Sequence, residues 1–140
     1  MRLSTKGRYT TRAIVDLALN YQKGPVFLKD IAKRQEVSQR YLSQLVIPLE
    51  GAGLVKGIRG RRGGLILAKP PRQITLGQVI QISEGRISFE ECVDNPKVCS
   101  RSSRCAIRDV WSETVRTVER VLESITLQDL IDRQAKKETR

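Results

Sequence analysis

The stretch from Leu54 to Ala68 limits the possible folds more than any other part of the chain. Leu54-Val55-Lys56-Gly57-Ile58 and Leu65-Ile66-Leu67-Ala68 are short β-prone runs, separated by Arg59-Gly60-Arg61-Arg62-Gly63-Gly64. Glycines between two apolar runs supply the backbone freedom of a tight reversal, so the segment predicts a β-hairpin with an arginine-rich tip. Elsewhere the apolar spacing is helical, and the hairpin is the chain's expected β element.

Three helices are expected ahead of it. Ile14, Leu17, Ala18 and Tyr21 recur at i, i+3, i+4 and i+7, predicting a helix from Ser4 or Thr5 to Tyr21 that Gln22-Lys23-Gly24-Pro25 stops. A second helix is expected over Leu28 to Gln35, with the chain turning at Val37. Ser38 is suited to N-cap a third, which turns Leu42, Leu45 and Leu49 inward. Pro48 should kink its last turn, and Gly51 and Gly53 should end it. Beyond Pro70-Pro71, Thr75 and Gln78 have capping-box spacing, and Ile74 with Val79 that of a hydrophobic staple. A helix from Thr75 to Glu84 follows. Residues 85–104 lack periodicity and read as a loop. A long helix is then expected from Cys105 to Ser124. Its stripe of Trp111, Val115, Val118, Leu122 and Ile125 resembles a coiled-coil seam and predicts pairing with a second copy. Thr126 and Asp129 suggest a last short helix, with a frayed tail from Gln134.

Helix, helix, tight turn, helix, hairpin is the order of a winged helix-turn-helix. The expected class is therefore mainly α with a small β-hairpin: a winged helix-turn-helix plus a long dimerisation helix. The expected segments are a DNA-binding domain at 1–70, a connecting helix at 71–84, a cysteine loop at 85–104, and the dimerisation helix and tail at 105–140.

Charge supports this division. Of a net +11 over 140 residues, residues 1–70 hold 14 Lys and Arg against 4 acids, while residues 71–140 hold 12 against 11. A one-sided basic excess fits a phosphate-rich partner, here double-stranded DNA. Aromatic residues make up only 4% of the chain, too few for a base-stacking surface that binds single strands. No run approaches the roughly 18 apolar residues of a membrane span, and no secretory leader is visible, so a cytoplasmic protein without a membrane partner is expected. Catalysis is not expected. The chain has no histidine, no glycine-rich nucleotide fingerprint after a strand, and no evident carboxylate pair.

The third helix would present Ser38, Gln39, Arg40, Tyr41, Ser43 and Gln44 to a major groove. Arg40 suits guanine, Gln44 adenine, and Ser43 either kind of base edge. Arg59, Arg61 and Arg62 at the hairpin tip would meet phosphate or a narrow minor groove. Arg2, Lys6 and Arg8 would add backbone contacts.

Cys92, Cys99 and Cys105 are the only cysteines. An odd number clustered in a polar loop argues against a disulfide framework and for a metal or a redox role. Thiolates suit iron–sulfur clusters, and Arg101, Arg104 and Arg108 add positive charge that favours the thiolate form. Zinc is the competing metal, although its usual closer Cys-x2–4-Cys spacing is missing. A metal-free thiol switch on the same DNA-binding head is the alternative.

The segments MRLSTKGRYTTRAIVDLA, PVFLKDIAKRQEVSQRYLSQLVIPLEGAGLVKGIRGRRGGLILAKPP and ITLGQVIQISEG also carry a resemblance. From Met1 to about Asp132 the chain resembles the IscR-like iron–sulfur cluster regulators, a winged-helix family that also includes NsrR and CymR. The resemblance implies a homodimeric transcription regulator, a repressor among its possible roles, whose long helix forms the dimer interface. It implies a metal site at Cys92, Cys99 and Cys105 holding a 2Fe–2S cluster, with 4Fe–4S in some NsrR-like members, and control of cluster-biogenesis genes. A redox- or nitric-oxide-responsive regulator is the alternative within the same family. Two positions depart from the pattern. Ser43 stands where many IscR proteins have an acid. Arg108 stands where a histidine commonly follows the third cysteine, which leaves Asp109, Glu90, Glu91, Asp94 or a residue of a second copy as fourth-ligand candidates.

Overall fold

The computed structural model describes residues 2–139; Met1 and Arg140, the outer bounds of the first and last expected segments, lie outside them. Its order is α1 (Thr5–Leu19), α2 (Leu28–Gln35), α3 (Gln39–Gly51), β1 (Val55–Ile58), β2 (Gly64–Leu67), α4 (Leu76–Glu84), α5 (Glu91–Asp94), α6 (Ala106–Ser124) and α7 (Leu127–Glu138). A mainly helical chain with one small antiparallel sheet is the expected class.

Each of the first three helices is set by local chemistry. The Ser4 hydroxyl accepts the Gly7 N–H at 3.1 Å and starts α1. Glu36, in the left-handed conformation at φ 56°, ends α2, so the turn is made at Glu36, one residue before the expected Val37. The Ser38 hydroxyl accepts the Tyr41 N–H at 3.1 Å and starts α3. α3 then continues through Pro48 and ends at Gly51, as the glycines there led one to expect. Ile14, Ile31, Leu42, Leu49, Leu54, Val55, Leu65 and Leu67 bury together as one core that seats the hairpin on the three-helix head.

The hairpin pairs Val55 with Leu67 and Ile58 with Gly64. Val26 adds an isolated bridge to Leu65, with N–H to carbonyl distances of 2.9 and 2.8 Å. Those two bonds fix the wing to the start of α2. They join residues far apart in sequence, and local pattern gives no sign of them.

Thr75 and Gln78 form the expected capping box of α4, and the stapling Ile74 and Val79 are fully buried. Thr126 and Asp129 form a second box at α7, and the Leu127 N–H reaches the Ile74 carbonyl at 2.9 Å. α7 packs on α1 and runs to Glu138, so the expected frayed tail from Gln134 is helical instead.

Two expectations for the second half need correction. The segment 85–104 is not without structure: it holds α5 and two 3₁₀ turns, Pro96–Val98 and Ser102–Arg104. The stripe expected to meet a second copy is turned toward the chain itself. α6 packs on α4, Val115 is buried, and Trp111 lies against Phe89 with ring centroids 6.1 Å apart. The apolar residues of α6 left in water are Ile107, Val110 and Val121.

Candidate nucleic-acid interface and cysteine loop

α3 is divided lengthwise. Leu42, Leu45, Val46 and Leu49 are buried, while Gln39, Arg40 and Gln44 are exposed and Ser43 is half-buried. The Ser43 hydroxyl donates to the Arg40 carbonyl at 2.6 Å, which leaves its oxygen free to act as an acceptor. Tyr41 is partly occupied in packing: its ring meets Tyr9 edge-to-face at 6.2 Å. Ser38 is spent on capping, though it stays exposed beside Gln39.

The Tyr9 ring also gathers charge. The guanidinium carbons of Arg8 and Arg12 lie 5.3 and 5.2 Å from its centroid, a cation–π arrangement that holds both cations near the start of α3. Asp16, buried in α1, accepts from Arg34 at 2.7 and 2.8 Å and from Gln35 at 3.1 Å. This pairing raises the Arg34 pKa above its ordinary value. It also ties α2 to α1.

At the wing, Arg59, Arg61 and Arg62 are all exposed. Gly60 has φ 109° and Gly64 φ 152°, conformations that L side chains rarely adopt, so the glycines set the tip. The structure thus brings the α3 residues and the wing arginines to the surface of one head. Lys6 joins them, lining a shallow groove with Gln44 and Pro48. Arg2 lines another groove, between Thr11 of α1 and residues of α4 and α6 such as Ile80 and Leu122. Lys29, over the Phe27 ring at 5.5 Å, and exposed Ile47 escaped the sequence reading. The signal for Ile47 was present, because it breaks the polar edge of an otherwise amphipathic helix.

Glu84 links this head to the second half of the chain. Its carboxylate accepts from the Ser4 hydroxyl and from the Ser4 N–H at the start of α1. The hydroxyl bond is the main reason its pKa lies below the usual carboxylate range.

The cysteines lie on three pieces of one loop. Cys92 is in α5 and half-buried, Cys99 is exposed just after a 3₁₀ turn, and Cys105 is half-buried at the N-cap of α6. All three are free thiols. They suit a soft metal in kind, but among the described residues no three Cys, Asp or Glu side chains stand close enough together to hold a metal ion. Asp94 is paired with Arg86 at 3.1 Å, while Asp109, Glu90 and Glu91 are exposed. Arg108 has a role the sequence did not suggest. Its guanidinium donates to the Cys92 carbonyl at 2.7 Å and the Val93 carbonyl at 3.4 Å, pinning α5 to α6. The Ser102 hydroxyl, between Cys99 and Cys105 in the chain, is buried without a hydrogen-bond partner in the structure.

Known proteins share this architecture. Residues 3–133 match the family model described as Rrf2, iron-dependent transcriptional regulator. The HTH-type transcriptional regulator CymR of Bacillus subtilis is 43% identical over 130 residues, covering 93% of this chain and 89% of CymR. The solved structure of that protein, described as the global cysteine regulator, superposes with a TM-score of 0.81 over 94% of this chain and 97% of its own. The HTH-type transcriptional regulator IscR of Serratia proteamaculans is 37% identical over 134 residues, or 96% of this chain and 81% of IscR. The structure of T. potens IscR superposes with a TM-score of 0.79 at 40% identity, covering 96% of this chain and 88% of that one. No helix among the described residues is long and apolar enough to cross a membrane.

Proposed function

The chain belongs to the Rrf2 family of transcriptional regulators, and from that premise we propose that it is a homodimeric, sequence-specific DNA-binding regulator controlled by its cysteine loop. The observation that carries the reading is the pairing, on one head, of a polar edge on α3 with an arginine-tipped wing. Gln39, Arg40, Ser43 and Gln44 read base edges in a major groove, while Arg59, Arg61 and Arg62 neutralise phosphate or enter the minor groove. Arg8 and Arg12 add charge beside α3.

α6 supplies the second copy's docking face. Ile107, Val110, Thr114, Thr117 and Val121 follow one another at intervals of three and four residues. The Thr114 and Thr117 hydroxyls donate back to the Val110 and Glu113 carbonyls at 2.8 and 2.9 Å, which satisfies their donors within the helix and lowers the cost of covering them. Two-fold pairing through this stripe favours an inverted-repeat operator.

The sensing element is Cys92, Cys99 and Cys105. In the first reading these thiolates hold an iron–sulfur cluster of the 2Fe–2S type, and the signal is the cell's iron–sulfur status acting on cluster-biogenesis genes. The three thiolates would serve as soft ligands to iron, and the cluster would supply a redox-sensitive centre. In the second reading two thiols form a disulfide, losing two electrons and two protons to a peroxide-class oxidant. The exposure of Cys99, which leaves its thiol open to an oxidant, supports this reading. Either event has to move a loop that Arg108 pins to the dimer helix, and α6 is thereby placed to relay the change to the reading heads.

The test is purification without oxygen, followed by iron and sulfide analysis and a titration of operator affinity. The expected outcome is an affinity change of about 5- to 150-fold between the loaded or oxidised protein and a Cys92→Ala/Cys99→Ala/Cys105→Ala variant. Bound iron with sulfide selects the first reading, and a reversible disulfide without iron the second. Equal affinity in every state would remove the cysteines from control.

A further inference from the structure

One residue of α3 is left unexplained by the division of the helix into a buried and a polar face. Ile47 is 67% exposed, the highest value among the large exposed hydrophobic residues described. It follows Ser43 by four positions and Gln44 by three, so it lies one turn further along the same outward face. The exposed positions Gln39, Arg40 and Gln44, half-buried Ser43 and exposed Ile47 form one continuous edge of the helix.

The neighbours of Ile47 argue against a protein-docking role. Gln44 precedes it on this edge and Glu50 follows, both polar and exposed. The only exposed apolar residue next to it on the helix is Pro48, and the two together fall short of a docking patch. The other exposed large apolar residues lie on other elements: Ile107, Val110 and Val121 on α6, Leu19 on α1, Leu3 and Phe27 just before α1 and α2, and Val98 in the cysteine loop. An isolated apolar side chain on a polar edge is no hydrophobic patch. Within a major groove, however, it has one apolar partner. The 5-methyl of thymine is the only apolar group that a base pair presents there.

We propose that Ile47 is a specificity-determining residue that packs on a thymine methyl in each half-site. The inference rests on the reading that α3 enters the major groove, and it deepens that reading by naming the base. Ile47 lies about 4.5 Å beyond Gln44 along the helix axis. Bases follow one another at about 3.4 Å along a strand. The thymine is therefore one or two steps from the base met by Gln44.

The experiment removes single methyl groups from the DNA. Duplexes are selected from a random-sequence pool with the full-length protein, and each thymine of the selected site is replaced in turn by deoxyuracil. One buried methyl is worth roughly a fourfold change in affinity, so uracil at the matched position of both half-sites should weaken binding roughly 15-fold. In Ile47→Ala that position should show thymine and uracil bound alike, while the salt dependence stays as in the parent. Because Ile47 is exposed, the thermal midpoint of the variant should match that of the parent. If the uracil losses persist unchanged in Ile47→Ala, or if no position is sensitive, the inference falls while DNA reading by α3 stands. If no duplex is retained at low salt, the reading beneath it falls as well.

Discussion

Gly57 and Gly64 lie on facing strands near the hairpin tip, where Gly57 pairs with Leu65 and Gly64 with Ile58, and they should respond differently to the same substitution. A Cβ on Gly64 would meet the Val26 backbone, with the carbonyl oxygen at 2.5 Å, and φ 152° is strained for any L residue. A Cβ on Gly57 would meet nothing within 4 Å. Gly64→Ala should therefore cost about 1–3 kcal/mol and loosen the wing, while Gly57→Ala should stay within about 0.5 kcal/mol of the parent. Chemical denaturation of both variants checks this, and equal losses would contradict the bridge between Val26 and Leu65. Sequence alone marked Gly60, Gly63 and Gly64 as turn residues, because turn chemistry is local. It gave no sign of the strand fragment at Val26 that makes Gly64 obligatory, since that contact depends on tertiary packing. Arg108 illustrates the same limit. The spacing from Cys105 is visible in the chain, but the carbonyls of Cys92 and Val93 that it holds become its neighbours only once α5 docks on α6.

At the scale of elements, caps and periodicity located most of the helices. Ser38, Thr75 and Thr126 each accept the N–H that their position suggested. α7 outran its expected length because its last turns are polar, and a helix of Gln, Ala, Lys and Glu has good propensity without an apolar rhythm. α6 was harder to read because it carries two stripes. Trp111, Val115, Val118 and Leu122 recur at the same three-and-four spacing as Ile107, Val110, Thr114, Thr117 and Val121. Periodicity cannot say which stripe faces the chain's own core, and burial assigns the first to that role. The outer stripe is the one proposed to pair copies. Val110→Glu with Val121→Glu should turn the dimer to monomer in sedimentation at micromolar concentration. The monomer should keep its helical content, because neither residue is buried in the single chain. A variant that remained dimeric would place the interface elsewhere.

For the whole molecule, the uneven charge seen in the sequence becomes a spatial arrangement. Arg40 on α3, the wing arginines Arg59, Arg61 and Arg62, and Arg8 and Arg12 around Tyr9 share one head, while the second half is nearly neutral and carries the cysteine loop and the outer stripe of α6. Glu84, at the end of α4 where it holds the start of α1, and Arg108, near the start of α6, are the joints along this path. The winged-helix architecture of the basic half was legible because the helix order and the glycine-rich hairpin pattern agreed. The state of the cysteine loop was not, because three thiols at x6 and x5 spacing are compatible with a cluster, a disulfide or neither until their neighbours are fixed.

The central claim is that the basic head grips duplex DNA through its phosphates as well as its bases. Its most direct test is the affinity of the full-length protein for a selected duplex, measured across salt concentrations. The account predicts that log K falls linearly with log salt, with a slope of about −0.9 per phosphate contacted. Arg61→Ala and Arg62→Ala should each flatten that slope by about 0.9 for every contact removed. Affinity that ignores salt, or a slope left unchanged when both arginines are replaced, would contradict it.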